Sequence, residues 1–211
     1  YGQTFDRLRV SDNGWISFDA DDATYNFYNW PLPSHEGPGA LIAPFWDNLD
    51  PTFEFDPDAN DSTGVGSSGI FTHHDAAAGT FTVEWSRQRH LINSIRGLQT
   101  FQVVLQDQDP AATGREDDDV LFLYKQVANN DYERMWASVG FESPDEDQGL
   151  QLTHGNLYAP GVPPLGPGLA MCVTTEPPVR VPLRLARLAA EPAEGGVLVS
   201  WDSADARPVT G

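Results

Sequence analysis

Lysine is almost missing from this chain. Lys125 is the only one, and lysine and arginine together number 12 against 31 aspartates and glutamates, for a net charge of −19. Phosphate binding needs a basic footprint, so nucleic acid is excluded as a partner. Cysteine is as scarce. Cys172 stands alone, so no intrachain disulfide can form and an extracellular location has to be argued on other grounds. Its setting, Leu169-Ala170-Met171-Cys172-Val173, predicts a small buried hydrophobe rather than a reactive thiol. No apolar run reaches the length of a membrane span, which argues against membrane insertion. No stretch keeps a helical period either, so the fold is not built on helices. The chain opens at Tyr1 without a signal peptide and reads as a mature form or a fragment.

What is present is a set of short alternating stretches. With 211 residues, 40% of them hydrophobic, the chain can bury the core of one large β domain or somewhat more. Its organising stretch runs from Ser11 to Pro51 and holds two phrases, SDNGWISF and LIAPFWDNLDP. In the first, Asp12-Asn13-Gly14 tolerates a tight reversal before Trp15, Ile16 and Phe18 enter a strand. In the second, the apolar run ends in Phe45-Trp46 and meets Asp47, Asn48 and Asp50 at once, as at a sheet end with a polar rim. Before them, Phe5, Leu8 and Val10 alternate with Arg7 and Arg9. Tyr25 to Pro33 is rich in aromatics and proline, which forbids a central strand and predicts a loop laid across the core edge.

Farther on, Gly69 to His74 reads as a strand. Phe81, Val83 and Trp85 alternate with Thr80, Thr82 and Glu84, and Phe101, Val103 and Leu105 repeat the pattern. Val120 to Val127, Trp136 to Phe141, Leu150 to Thr153 and Leu169 to Val173 complete the set. The spacing predicts an all-β fold over residues 1–175, an antiparallel β-sandwich of jelly-roll-like kind with long Asp/Gly/Pro-rich loops. Its expected interior includes Trp15, Phe18, Phe45, Trp46, Phe81, Val83, Trp85, Phe101, Val103 and Leu105. Glu176-Pro177-Pro178 begins a stiff linker over 176–180. Val181 to Leu188 and Val197 to Trp201 are two further strands of a tail over 181–211.

The chemical candidates are few. Asp56, Asp58, Asn60 and Asp61 place oxygen ligands in a loop, with Asp47 and Asp50 as completing ligands. Ca²⁺ takes six to eight oxygens, so two readings stay open, a solvated loop and a Ca²⁺ site. The loop is no EF-hand, since Asp61 and Ser67 stand where that motif needs Gly and Glu. Asp117, Asp118 and Asp119 read as a wet loop. His73 and His74 point to opposite faces of a strand and cannot chelate one metal. His35, His90 and His154 show no ligand spacing. No serine sits in a nucleophile elbow. Glu84 and Glu142 read as outward-facing carboxylates rather than a glycosidase pair. No catalytic residue is assigned, and the chain is expected not to be an enzyme.

Taken in order, SDNGWISF, LIAPFWDNLD, TFTVEWS, LQTFQVVLQD, DDVLFLYKQV and ASVGFE resemble the NIDO domain. That domain is the extracellular module of nidogen, tectorin and membrane mucins. The related modules of large secreted or cell-surface bacterial proteins are more similar still. The resemblance implies a noncatalytic β module in matrix or adhesive proteins. This chain lacks the cysteines of many animal examples and has GIFTHHD where the family tends to a tyrosine-rich strand. The tail, RVPLRLARLAAEPAEGGVLVSWD, is similar to the first two strands of a fibronectin-III-like module.

The expectation is an extracellular or cell-surface structural or adhesive module of a bacterial protein. An accessory domain of a secreted peptidase or glycosidase is the alternative. A carbohydrate-binding module using Tyr25, Tyr28 and Trp30 is another. Its partners would be other extracellular proteins, glycans or itself. A lone hairpin is marginal in water, so the tail strands are expected to fold onto the sandwich or to pair with the next subunit. Such head-to-tail strand donation does not close and would build a filament.

Overall fold

The fold is seen in a computed structural model that describes residues 3–19, 27–51, 68–90, 98–107, 117–128 and 136–175, and the backbone of Leu185–Ala193 and Gly196–Ser203. The chain divides into two compact units, Tyr1–Thr175 and Glu176–Gly211. Among the described residues there is no helix, and so none long and apolar enough to cross a membrane.

The first unit is an antiparallel β-sandwich. Its first sheet joins β1 (Arg9–Val10), β2 (Ile16–Ser17), β3 (Leu41–Trp46), β9 (Ser138–Glu142), β10 (Gly149–His154) and β11 (Leu157–Tyr158), in that order. The second runs β12 (Leu169–Val173), β8 (Val120–Gln126), β7 (Leu98–Gln106) and β6 (Thr80–His90). Along the outer edge of β6 lie two short partners end to end, β5 (Gly69–Asp75) and β4 (Leu49–Asp50). The β5–β6 turn is closed by Asp75, whose Oδ1 accepts from the amides of Ala77 and Ala78 at 3.0 Å each. Those two bonds hold the Asp75 carboxyl below its ordinary pKa.

Alternation places the core. Val83 and Trp85 on β6, Phe101 and Val103 on β7 and Phe122 and Tyr124 on β8 face Ile16, Ile42, Phe45 and Val139 of the first sheet. Phe122 stacks on Phe141 across the gap at 5.3 Å, and Phe45 meets Phe101 at 5.2 Å. Each ring of this size contributes about 1.5–3 kcal/mol by leaving water. Two hydrogen bonds stitch the layers: Trp85 Nε1 donates to the Ser11 carbonyl and Tyr124 Oη to the Pro44 carbonyl, both at 2.7 Å. Burial pushes the Tyr124 hydroxyl well above its usual pKa and keeps it a donor.

All ten expected interior residues pack in the first unit, with differences. Trp15 and Trp46 belong to a second cluster with Leu32, Leu41 and Ala43, on the other face of the first sheet. Phe18, Phe81 and Leu105 are only half-buried, because they stand at one end of the sandwich. Cys172 is exposed, which corrects the expectation of burial. On the edge strand β12, Leu169, Met171 and Val173 face inward, so Ala170 and Cys172 must face out. The first strand is shorter than expected, since Phe5 lies outside it and stacks on Phe18 at 4.5 Å.

In the second unit, β13 (Leu185–Ala193) and β14 (Gly196–Ser203) pair with each other as a two-stranded antiparallel sheet. The expected residues 181–184 lie outside the described ones.

Gly14 has a φ of +78°, and a Cβ there would stand 1.9 Å from the Phe45 carbonyl oxygen. Gly14→Ala is expected to cost about 3 kcal/mol or more, from backbone strain and overpacking together. Urea unfolding that shows a loss under about 1 kcal/mol would contradict this account of the turn.

Candidate functional site

Three places gather polar chemistry. The first is a corner where the chain leaves β3 in one sheet and enters β4 in the other. Ladder pairing cannot follow that switch, so the Asp12-Asn13-Gly14 turn supplies the acceptors. The Phe45 amide donates to the Gly14 carbonyl at 3.3 Å and the Asp47 amide to the Asn13 carbonyl at 3.1 Å. The Leu49 amide donates to Asn13 Oδ1 at 3.1 Å. Two acid–base pairs close the corner. Oδ2 of Asp47 lies 3.2 Å from Nδ1 of His90, with both side chains buried, and Asp50 bonds Arg89 on the neighbouring strand. The other oxygen of Asp47 accepts from the Asn48 amide at 2.7 Å.

The second is a strap. Residues 27–37 cross the outer face of the first sheet. Leu32 is buried there over Gly140, where a Cβ would stand 3.1 Å from Leu32 Cδ1 and 2.0 Å from the Leu150 carbonyl oxygen. Asn29 Nδ2 donates to the Trp136 carbonyl at 2.6 Å, Ser138 Oγ donates to the Trp30 carbonyl at 2.7 Å, and the Leu32 amide donates to Gln151 Oε1 at 2.9 Å. The Ser138 hydroxyl has one proton, which it gives to Trp30, so His154 Nδ1 at 2.8 Å is its donor. Burial lowers the pKa of His154. The strap leaves Tyr28 55% and Trp30 38% exposed.

Glu142 lies under the strap. It is 6% exposed, its Oε2 accepts from the Ser34 amide at 2.6 Å, and its Oε1 has no hydrogen-bond partner. Burial raises its pKa to about 7, the Ser34 bond opposes the rise, and Glu146 nearby adds to it. His35 bridges Glu146 at 3.0 Å and Asp147 at 3.5 Å above it.

The third is the mouth of the sandwich opposite the corner. There Asp117, Asp118 and Asp119 precede β8, and Asp107 follows β7.

Several sequence-based candidates sit in these places. Asp47 and Asp50 are in the corner, facing His90 and Arg89. Asp56, Asp58, Asn60 and Asp61, the rest of the calcium set, lie outside the described residues, as does Tyr25. Among the described residues no group of three or more His, Cys, Asp or Glu is placed to hold a metal. His73 and His74 are both exposed on β5. Glu84 bonds Gln102 on β7. Glu142 is covered rather than solvent-facing, a correction that follows from the strap. Sequence reasoning missed the His90–Asp47 pair. Its signal was weak: β6 continues through the polar run Ser86-Arg87-Gln88-Arg89-His90, where strand alternation is masked.

A raised folded pKa means that the native state binds the Glu142 proton more tightly than the unfolded chain. Its contribution to stability is full below about pH 4.5 and is lost as pH rises through about 7. Glu142→Gln mimics the neutral acid. The variant should match the parent in melting temperature near pH 4.5 and exceed it at pH 8. A difference independent of pH would contradict the assignment.

A family model described as NIDO related matches residues 1–159. No curated protein and no solved structure matches the chain.

Proposed function

Because this chain belongs to the NIDO-related family, an extracellular type of domain, we propose that it is a noncatalytic adhesive or structural module of a bacterial surface or secreted protein. The family match across most of the first unit carries this reading. The sandwich suits it: two stitched sheets hold their strand pairs rigid and display loops at both ends. Self-association through the strands of the second unit is one form of the same reading.

Full-length protein coupled to beads provides the test. Beads would be challenged under flow on surfaces coated with matrix proteins or with this chain itself. Retention well above bare beads supports the module reading, and retention equal to bare beads removes it.

A second reading has its own observation. Tyr28 and Trp30 are exposed while their backbone is pinned by Ser138 and Asn29. Fixed, exposed rings are what sugar stacking requires, and a pinned loop loses little entropy on binding. Any glycan found on an array should bind the variant Tyr28→Ala/Trp30→Ala about tenfold or more weakly. Unchanged glycan affinity in that variant removes the reading.

The calcium component of the proposal rests with the loop of Asp56, Asp58, Asn60 and Asp61. A ligand specific to the native state raises stability, so the melting midpoint should be higher in Ca²⁺ than in chelator. Equal midpoints over a wide calcium range would remove a structural calcium site.

A further inference from the structure

The open mouth of the sandwich is a cleft with a volume of about 1560 Å³. Pockets for small ligands are usually about 300–1,000 Å³. It runs across the ends of five strands, from His74 on β5 past Phe81, Leu105 and Val120 to Val173 on β12. At about 4.8 Å per strand this is roughly 19 Å, the reach of about six residues of extended chain.

Three features describe what fits. The floor is apolar and only half-buried, with Phe81 and Leu105 from one sheet and Phe18 and Phe141 from the other. The rim is acidic, with Asp107, Asp117, Asp118, Asp119 and Asp145. Among the described lining residues Arg7 is the one lysine or arginine, and it sits 4.0 Å from Asp6.

We propose that this cleft binds an extended segment of a partner protein in which arginine or lysine alternates with apolar residues. An extended chain turns successive side chains to opposite faces. One set would cover the apolar floor and the other would meet the carboxylates of the rim. The inference rests on the adhesive reading and gives it a partner chemistry.

Full-length protein titrated with dye-labelled hexapeptides, followed by fluorescence anisotropy, tests it. An Arg-Leu alternating peptide should bind, with affinity that falls as salt rises. An Arg-Gly peptide should bind about tenfold or more weakly, and a Glu-Leu peptide should not bind. Asp117→Asn with Asp118→Asn should weaken the Arg-Leu peptide about tenfold. Glu36→Gln with Glu84→Gln removes the same charge outside the cleft and should leave affinity unchanged.

Four results overturn the inference. They are no binding of the Arg-Leu peptide, equal binding of the Arg-Leu and Arg-Gly peptides, and equal loss in both double variants. The fourth is self-association of the parent that Asp117→Asn with Asp118→Asn abolishes, which assigns the cleft to a second copy. Bead retention that persists without peptide binding overturns this inference alone and leaves the adhesive reading standing.

Discussion

Three alternate amides, those of Phe45, Asp47 and Leu49, find their acceptors on two residues of one turn, Gly14 and Asn13. The sandwich depends on this arrangement. A chain that crosses from one sheet to the other loses its ladder partners just where it is buried. An unsatisfied buried amide costs about 1–3 kcal/mol. Asn13 avoids that cost twice, once with its backbone carbonyl and once with its side chain. It can approach closely only because Gly14 has no Cβ. The turn in turn rests on the core, since the Ser11 carbonyl beside it accepts from Trp85 Nε1. Losing either element removes partners from the other.

The first sheet is covered on both faces, and this accounts for a feature of its sequence. All six residues of β3 are buried, whereas β6 alternates over the span of Phe81 to Trp85. LIAPFW is therefore a continuous apolar run, as expected for a strand covered twice. Ile42 and Phe45 face the second sheet, while Leu41, Ala43 and Trp46 meet Trp15 and Leu32 under the strap. A bulge lies between Ala43 and Trp46, and the Pro44 carbonyl within it is taken by Tyr124. Proline is tolerated there because the bulge asks for no ladder amide.

Much of this was legible in the residues. The clean alternations of TFTVEWS and TFQVVL gave the second sheet, and Asp-Asn-Gly gave the turn. Other parts were not. β4 is two residues long, too short for any period to register. The burial of Glu142 follows from the strap, and a residue more than a hundred positions away leaves no local mark on a strand. His90 ends a polar run that reads as a loop until Asp47 is placed beside it. Cys172 is a different case. Its neighbours Leu169, Met171 and Val173 already fixed the inward face of an alternating strand, so its exposure was present in the pattern and was overruled by the residue's usual preference for burial.

The two ends of the sandwich treat charge in opposite ways. At the corner each carboxylate faces a basic group: Asp47 meets His90 and Asp50 meets Arg89. These pairs are at least partly buried, where salt screens them little. At the mouth, Asp107 and Asp119 sit on adjoining strand ends, with Asp117 and Asp118 beside them. Charges at such a partly exposed rim are screened over about 8 Å at physiological ionic strength. The corner pairs therefore respond to salt less than the rim does.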